Sequence, residues 1–412
     1  MVCSMEAEQE TSKKANKRFR GRKPWQRALI VVGWSLFGVV LLSLGTVGGY
    51  VIYVSHQYYR IRDNYDLTSA IYRRKEAKDS TAITKDTKLS LLTYNIGFGA
   101  YDHEYSFFMD TGRRKSGKEI TGKYAKAISK GHTQKNTEGA LTAVEKEDAD
   151  FVFLQEIDRW GERSYHIDQY AAFRKGLSSS EAVYASNFHS AYLAYPFHDP
   201  IGSIQSGVAT FSKYGIQEAV RRSYPVDPSF PTKFFDLDRC FSLSRLPLSN
   251  GKELVLANSH MSAYDKGGKI RKKQLSLLTS FMQEEKDKGN YVIVGGDFNH
   301  DLCGSVGKFE SDEVRPDWVA SLSQDDLPEG YSIVSNCYGS DGKTMVPTCR
   351  AAELPYTRIT KEDGTSYLSN YTVVIDGFLV SDNVNVLSNY NIDLDFLYSD
   401  HNPARMEFSL DL

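Results

Sequence analysis

At 412 residues, with 41% hydrophobic and 25% charged side chains, the chain has the composition of a folded protein, which excludes a collagenous, wholly disordered or disulfide-dense molecule. The net charge of −2 conceals an asymmetry: residues 1–85 hold 15 Lys/Arg against 7 Asp/Glu, and residues 86–412 hold 35 against 45. An acidic main body is not the electrostatic footprint of a protein that grips nucleic acid through its phosphates, although bound cations reverse the field locally.

The chain opens on a basic tail, residues 1–27, in which Lys13, Lys14, Lys17, Arg18, Arg20, Arg22, Lys23 and Arg27 crowd toward an apolar run. From Ala28 to Val54 no residue is charged. As a helix this segment spans about 40 Å, ample for a hydrocarbon core of about 30 Å. A cleaved signal peptide has a shorter apolar region and a small-residue cleavage site; an uncleaved transmembrane helix over 28–54 fits better. Tyr50 and Tyr53 stand where an interfacial belt would. Only Arg60, Arg62, Arg73 and Arg74 follow within a similar distance. The positive-inside rule therefore predicts a single-pass cell-membrane protein, with a cytoplasmic N-terminus and the large C-terminal part outside. Gly45 and Gly49 form a GxxxG pair, a match that arises easily in a Gly-rich span.

Residues 55–85, rich in Tyr, Arg, Lys and Asp without an apolar period, read as a helical or irregular stalk. From residue 86 onward the pattern becomes short strands ending in polar residues: 88–95 (KLSLLTYN), 150–155 (DFVFLQ), 206–212 (SGVATFS), 254–259 (LVLANS), 290–295 (NYVIVG) and 372–380 (TVVIDGFLV). Helical spacing runs through Ala140, Leu141 and Val144, and again through Leu275, Leu278 and Met282 before Gly289. Many short strands with few helices predict two sheets packed together with helices outside. Segments 98–135 and 301–370 lack a strand period and read as loops over a site. Cys3, Cys240, Cys303, Cys337 and Cys349 have no metal-site spacing; Cys337 and Cys349 flank a Gly-containing segment and are as open to pairing as to standing free.

Polar residues fall at the ends of the predicted strands: Asn95 in TYNIG, Glu156 in FLQEID, His260 in ANSHMSAY, Asp297 and Asn299 in GGDFNHD, Asp376 in VVIDGF, and Asp400-His401 in YSDHNP. Their Asn, Glu and Asp side chains are hard oxygen donors, suited to Mg²⁺ or Mn²⁺ and not to a thiolate zinc site. Asp297 and Asn299, two apart, would point to one side of an extended segment; an Asx-rich turn is a compatible reading. Standing alone, Glu156 would read as a solvated turn residue and His401 as a surface turn before Asn-Pro.

In this order and context the motifs resemble the endonuclease/exonuclease/phosphatase superfamily, which includes deoxyribonuclease-I-like and neutral-sphingomyelinase-like enzymes. The resemblance covers roughly residues 86–412. It implies an α/β fold, a four-layer α/β/β/α sandwich of two packed mixed sheets, preceded here by one transmembrane helix. It further implies a Mg²⁺-dependent (or Mn²⁺-dependent) phosphoric ester hydrolase acting on a phosphodiester or phosphomonoester. Glu156 with Asn95 would hold the metal, and Asp400 is carried over as a metal ligand or a carboxylate behind one. Asp297 would position and deprotonate the attacking water, and Asn299 would orient water or phosphate. His401 would contact the scissile phosphate with its ring held by Asp376, and His260 would contact phosphate or protonate the leaving group.

His260 is similar to the deoxyribonuclease-I, sphingomyelinase and inositol-polyphosphate-phosphatase branches. The text around Cys349, VPTCRAAE, departs from the Pro-Ala/Ser-Trp-Cys-Asp-Arg signature of inositol polyphosphate 5-phosphatases. Arg239 is a further phosphate contact to consider, although a single Arg on a strand is more commonly a surface residue. The long segment after Asn95 carries Tyr101, His103, Tyr105, Phe107 and Phe108, then Arg113, Arg114 and Lys115; a loop hydrophobic patch is its default reading, and a lipid or ligand surface the alternative. A membrane anchor and an acidic body favour a phospholipid headgroup as substrate over nucleic acid. An extracellular nuclease and a non-catalytic binding member of the fold are the alternatives.

Overall fold

The computed structural model describes residues 21–263 and 268–412, in two compact units that meet in sequence at Tyr58 and Tyr59. Cys3 and the tail residues Lys13, Lys14, Lys17, Arg18 and Arg20 lie outside the described residues. The first unit contains one long helix, α1 (Pro24–Gln57), with Pro in its first turn, where the fixed φ suits a helix start. Its apolar window has a mean hydropathy of 2.3 and none of it is buried. The helix is long and apolar enough to cross a membrane, and it extends the expected 28–54 span at both ends.

The second unit is built on two sheets. Its principal strands are β1 (Tyr65–Asp66), β2 (Leu89–Asn95), β3 (Phe151–Gly161), β4 (Glu181–His189), β5 (Ile204–Ser212), β6 (Glu218–Ser223), β7 (Cys240–Pro247), β8 (Glu253–His260), β9 (Tyr291–Asp297), β10 (Tyr331–Val334), β11 (Asp376–Ser381), β12 (Val384–Asn391) and β13 (Ala404–Leu410). Its helices are α2 (Lys130–Glu147), α3 (Gln169–Gly176) and α4 (Lys269–Asp287). One sheet has the order β1-β6-β7-β8-β9-β11-β10 and the other β12-β13-β2-β3-β5-β4. Each is mixed. The pairs β2/β3 and β8/β9 are parallel, and parallel neighbours need a crossover, here α2 and α4 respectively. The other pairings in these two sheets are antiparallel.

Side-chain alternation builds the layers. Leu89, Leu91, Phe151 and Phe153 enter the core between the sheets, against Leu254, Leu256, Ile293 and Phe378. Their neighbours Leu92, Tyr94, Val152 and Leu154 face outward onto Ala140, Val144 and Phe173 of α2 and α3. On the opposite side Val255, Val292 and Val294 pack against Leu278, Phe281 and Met282 of α4. Both faces of the central strands are covered, so these strands read as nearly continuous apolar runs. The result is the expected α/β/β/α layering of two packed mixed sheets.

The stalk expected over 55–85 is corrected by the structure. Residues 59–85 belong to the second unit: β1 pairs with β6, and Leu67, Ile71 and Ile83 are buried in the inter-sheet core. Their irregular spacing follows neither a helical nor a strand period, which hid them. Segment 98–135 is also more ordered than a covering loop. Tyr101 and Tyr105 pack with Phe98 and Ala127, and α2 already begins at Lys130. Segment 301–370 carries short strand pairs, among them Arg358–Thr360 with Ser366–Leu368.

Candidate active site

The polar strand ends converge on one edge of the sandwich. Parallel pairing aligns His260, the last residue of β8, with Asp297, the last of β9, and antiparallel pairing sets Asp297 opposite Asp376, the first of β11. In the other sheet β2 ends at Asn95, and the loop bearing Asp400 and His401 leads into β13, which pairs antiparallel with β2. The two edges meet where Asn95 Nδ2 donates to Asp297 Oδ2 at 3.1 Å.

Glu156 reaches this edge through a distortion. The β3/β5 register shifts between Leu154 and Ile157, and Glu156 sits at φ 52°, a left-handed conformation that costs a non-Gly residue about 1–3 kcal/mol. Such a bulge re-aims a side chain. Gln155 remains fully buried, donating to Asn258 Oδ1 at 2.8 Å across the sheets, while Glu156 Oε1 lies 3.4 Å from Asn95 Nδ2 and 3.9 Å from His260 Nε2. Asp297 and Asn299 are joined by a turn, not by strand alternation. The Asn299 N–H donates to Asp297 Oδ1 at 2.9 Å, Asn299 has φ 51°, and its side-chain amide donates to Met261 O.

His401 Nδ1 is 2.8 Å from Asp376 Oδ2, and its Nε2 is 3.8 Å from Asp297 Oδ2. Burial opposes charge on this ring, but Asp376, Cys349 and Asp297 raise its pKa well above the usual histidine value. His260 behaves oppositely: burial, then the positive charges of Arg239 and His401, hold its pKa well below that value. Burial raises Asp297 to about 6, assisted by the charge of Asp376 and opposed by His401. Burial also raises Asp400 to about 6, where His401 opposes and Glu156 assists the shift.

Asp297, Asp376 and His401 can each bring one ligand atom within 4.8 Å of the others. The hydrogen bond already made between His401 and Asp376 competes with coordination by that trio. Glu156 and Asp400 offer hard carboxylate oxygens instead, and the charge of Glu156 helps raise Asp400, a repulsion that a cation beside them would relieve. Asn95 turns its Nδ2 toward Glu156 and its Oδ1 to the Gly97 N–H at 3.0 Å, so it would join them with its amide turned over. The donor chemistry therefore fits a divalent metal.

Several contributors were not visible as motifs. Thr348 Oγ1 accepts from the Asp376 N–H. Ser399 Oγ donates to Asn95 O at 2.8 Å and accepts from the His401 N–H. Neither has a local signal; each lies in a loop and acts on a partner in another element. Arg239, expected more readily on the surface, is instead buried. Its Nε and Nη1 have no hydrogen-bond partner among the described residues, which leaves donors beside His260.

A family model described as "Endonuclease/Exonuclease/phosphatase family" matches residues 92–401. Among curated proteins none matches the chain. Solved structures similar to it include TDP2 from Caenorhabditis elegans, 15% identical, covering 78% of this chain and 74% of that one at a TM-score of 0.46. An endonuclease/exonuclease/phosphatase from Beutenbergia cavernae is 14% identical and covers 78% and 72% at 0.49. ANGEL2, a 2′,3′-cyclic phosphatase, is 17% identical and covers 79% and 96% at 0.48.

Proposed function

The chain belongs to the endonuclease/exonuclease/phosphatase family, and from that premise we propose that it is a membrane-anchored, divalent-metal-dependent hydrolase of a phosphodiester or phosphomonoester, with a phospholipid headgroup as the favoured substrate. The observation that carries the reading is the opposed pair at the convergent sheet edge. At neutral pH His401 is held protonated by Asp376, while Asp297, near 6, is ionised and able to accept a proton. Phosphoryl transfer to water needs both: a cation for the non-bridging oxygens and a base for the attacking water.

Asp297 takes the proton of the water as the water oxygen bonds phosphorus and the ester P–O bond breaks, the leaving oxygen being protonated from solvent. Asn299 fixes the Asp297 carboxylate through its N–H. His401 Nε2 and the unpartnered donors of Arg239 bind the phosphate oxygens. Neutral His260, 3.5 Å from Asp297 Oδ2, adds a polar contact at the same carboxylate. Asn95, Glu156 and Asp400 would hold Mg²⁺ or Mn²⁺, which when bound supplies Lewis-acid polarisation of the phosphoryl group.

The anchor is α1. A helix whose apolar window is wholly unburied at this hydropathy is stable only with that surface out of water, and the basic residues before it favour a cytoplasmic N-terminus with the hydrolase outside. The test uses the full chain in detergent or vesicles, with Mg²⁺ or EDTA, against sphingomyelin, phosphoinositides, DNA, RNA and a generic phosphodiester. Metal-dependent turnover absent from His401→Ala supports the reading. Plain DNA cleaved as fast as any lipid headgroup overturns the substrate assignment, and no turnover of any member with metal bound overturns the enzyme.

A further inference from the structure

Large apolar side chains stand in water at two loops of the second unit. In the loop between β4 and β5, Phe197 is 85% exposed, with Tyr192 and Tyr195 beside it in sequence; in the loop between β6 and β7, Phe230 is 63% exposed and Phe235 also projects. Scattered exposed apolar residues need no explanation, but aromatics gathered on neighbouring loops do.

Two facts locate these loops. Sheet register puts both at the edge that carries the active site. β4 ends at His189 and β5 starts at Ile204, which pairs with Gly161 at the Glu156-bearing end of β3. β7 starts at Cys240, one residue from Arg239 and at the end of β7 that lies beside His260. The chain also joins the second unit between these same loops. Tyr59 stacks on His189 with ring centroids 3.9 Å apart. The Arg60 Nη2–H donates to Tyr224 O at 3.0 Å and to Asp238 Oδ1 at 2.8 Å, and the Ile61 N–H donates to Asp238 Oδ2. His189 is the residue before the first loop; Tyr224 and Asp238 bracket the second.

Helix α1 ends at Gln57, and successive Cα atoms are about 3.8 Å apart, so Tyr59 stays within a few ångströms of the helix end. We propose that the loops carrying Tyr192, Tyr195, Phe197, Phe230 and Phe235 rest in the interface of the membrane that α1 crosses, and that the active-site edge thereby opens onto the lipid surface. The proposal rests on reading α1 as a membrane anchor. Aromatic side chains suit the headgroup boundary, where an apolar ring meets a wet end. Asp238 and His189 hold Tyr59, Arg60 and Ile61 at the same edge as these loops. A substrate embedded in the leaflet would then need to rise only to the mouth between the two loops.

The experiment is bromolipid quenching with the full chain in phosphatidylcholine vesicles. Phe197→Trp is compared with Ser249→Trp, which lies in the β7–β8 turn at the opposite edge, the emission of the unsubstituted chain being subtracted from each. The expected result is that the emission added by Phe197→Trp is blue-shifted and lost when the acyl chains are brominated, while that added by Ser249→Trp is neither. Equal, unquenched emission from both variants overturns the proposal. An alkaline carbonate wash separates the two ways of failing. A chain released by the wash overturns the anchor together with the proposal; a retained chain with Phe197→Trp unquenched overturns the proposal alone.

Discussion

Asn95 Nδ2 lies 3.1 Å from Asp297 Oδ2, two residues 202 positions apart in the chain and on different sheets. That hydrogen bond and the one between His401 and Asp376 tie the sheet edge bearing Glu156, Asp400 and His401 to the edge bearing His260 and Asp376, so the site exists only when both sheets have packed.

The charge on His401 depends on Asp376. Asp376→Asn removes that charge while keeping a side chain of the same shape, so the His401 pKa falls. In the proposed mechanism His401 acts in its protonated form, so activity would be lost as pH rises through its pKa. The alkaline limb of the pH–rate profile should therefore move to lower pH, with kcat down on the order of 10²- to 10³-fold. An alkaline limb that does not move would show that Asp376 does not act through the ring.

Burial raises Asp297 and Asp400 to about 6, above the ordinary Asp value of about 3.9. Between those values the folded chain binds more protons than the unfolded one, so without metal these groups cost stability as pH rises from about 4 to about 6. A divalent cation should offset that cost. The Tm increment from saturating Mg²⁺ should be larger at pH 7 than at pH 5, with stabilisation of about 2.7 kcal/mol at a hundredfold excess over Kd. Scanning calorimetry of Glu156→Gln should show most of the increment gone.

Arg239 is buried with two guanidinium nitrogens unpartnered among the described residues. Buried donors without hydrogen-bond partners are destabilising, even with the charge attracted to Asp236, so Arg239→Met should raise Tm. It should also lower kcat/KM by about 10²-fold, the cost of one phosphate-directed donor. Loss of both stability and activity would instead mark a structural arginine.

Glu285 accepts from Arg245 at 2.7 and 3.0 Å, from Lys288 at 2.8 Å and from Asn290 at 2.7 Å. Burial works against its charge, but these bonds hold its pKa down at about 2. The stability it contributes is fully present above the unfolded value of about 4.3 and is lost as pH falls toward 2. Glu285→Gln should cost about 3–5 kcal/mol at neutral pH and flatten the acid arm of a denaturation curve; a parallel curve would reject the assignment.

Cys303 Sγ stands 2.8 Å from Cys337 Sγ, so Cys337 faces Cys303 and not Cys349, whose pairing with it the sequence left open. The hydrogen bond from Cys303 lowers the Cys337 thiol to about 7, which favours the reactive thiolate. Treatment with a small-molecule disulfide, which is reduced as the two thiols are oxidised, should yield a Cys303–Cys337 peptide on non-reducing mass spectrometry. Cys349, fully buried beside His401, should remain a thiol.

The sequence by itself determined the strands β2, β3, β5, β8, β9 and β11, the apolar helix and the chemical inventory of the edge, but not β4, β6, β7, β12 or β13. Those signals are local: an apolar run ending in Asn, Glu, His or Asp marks a strand end whatever it packs against, and 27 uncharged residues mark a span-length helix. Only the tertiary structure decided how the inventory is used. Leu67, Ile71 and Ile83 draw residues 59–85 into the core although they share no period. The bulge that turns Glu156 into the site arises from mismatch with β5, fifty residues on. The burial of Arg239, the anchoring of Asp376 by Thr348 and the Cys303–Cys337 contact all join segments remote in sequence. Side-chain type and periodicity are written residue by residue, whereas desolvation and charge coupling depend on which distant groups the packed sheets bring within a few ångströms.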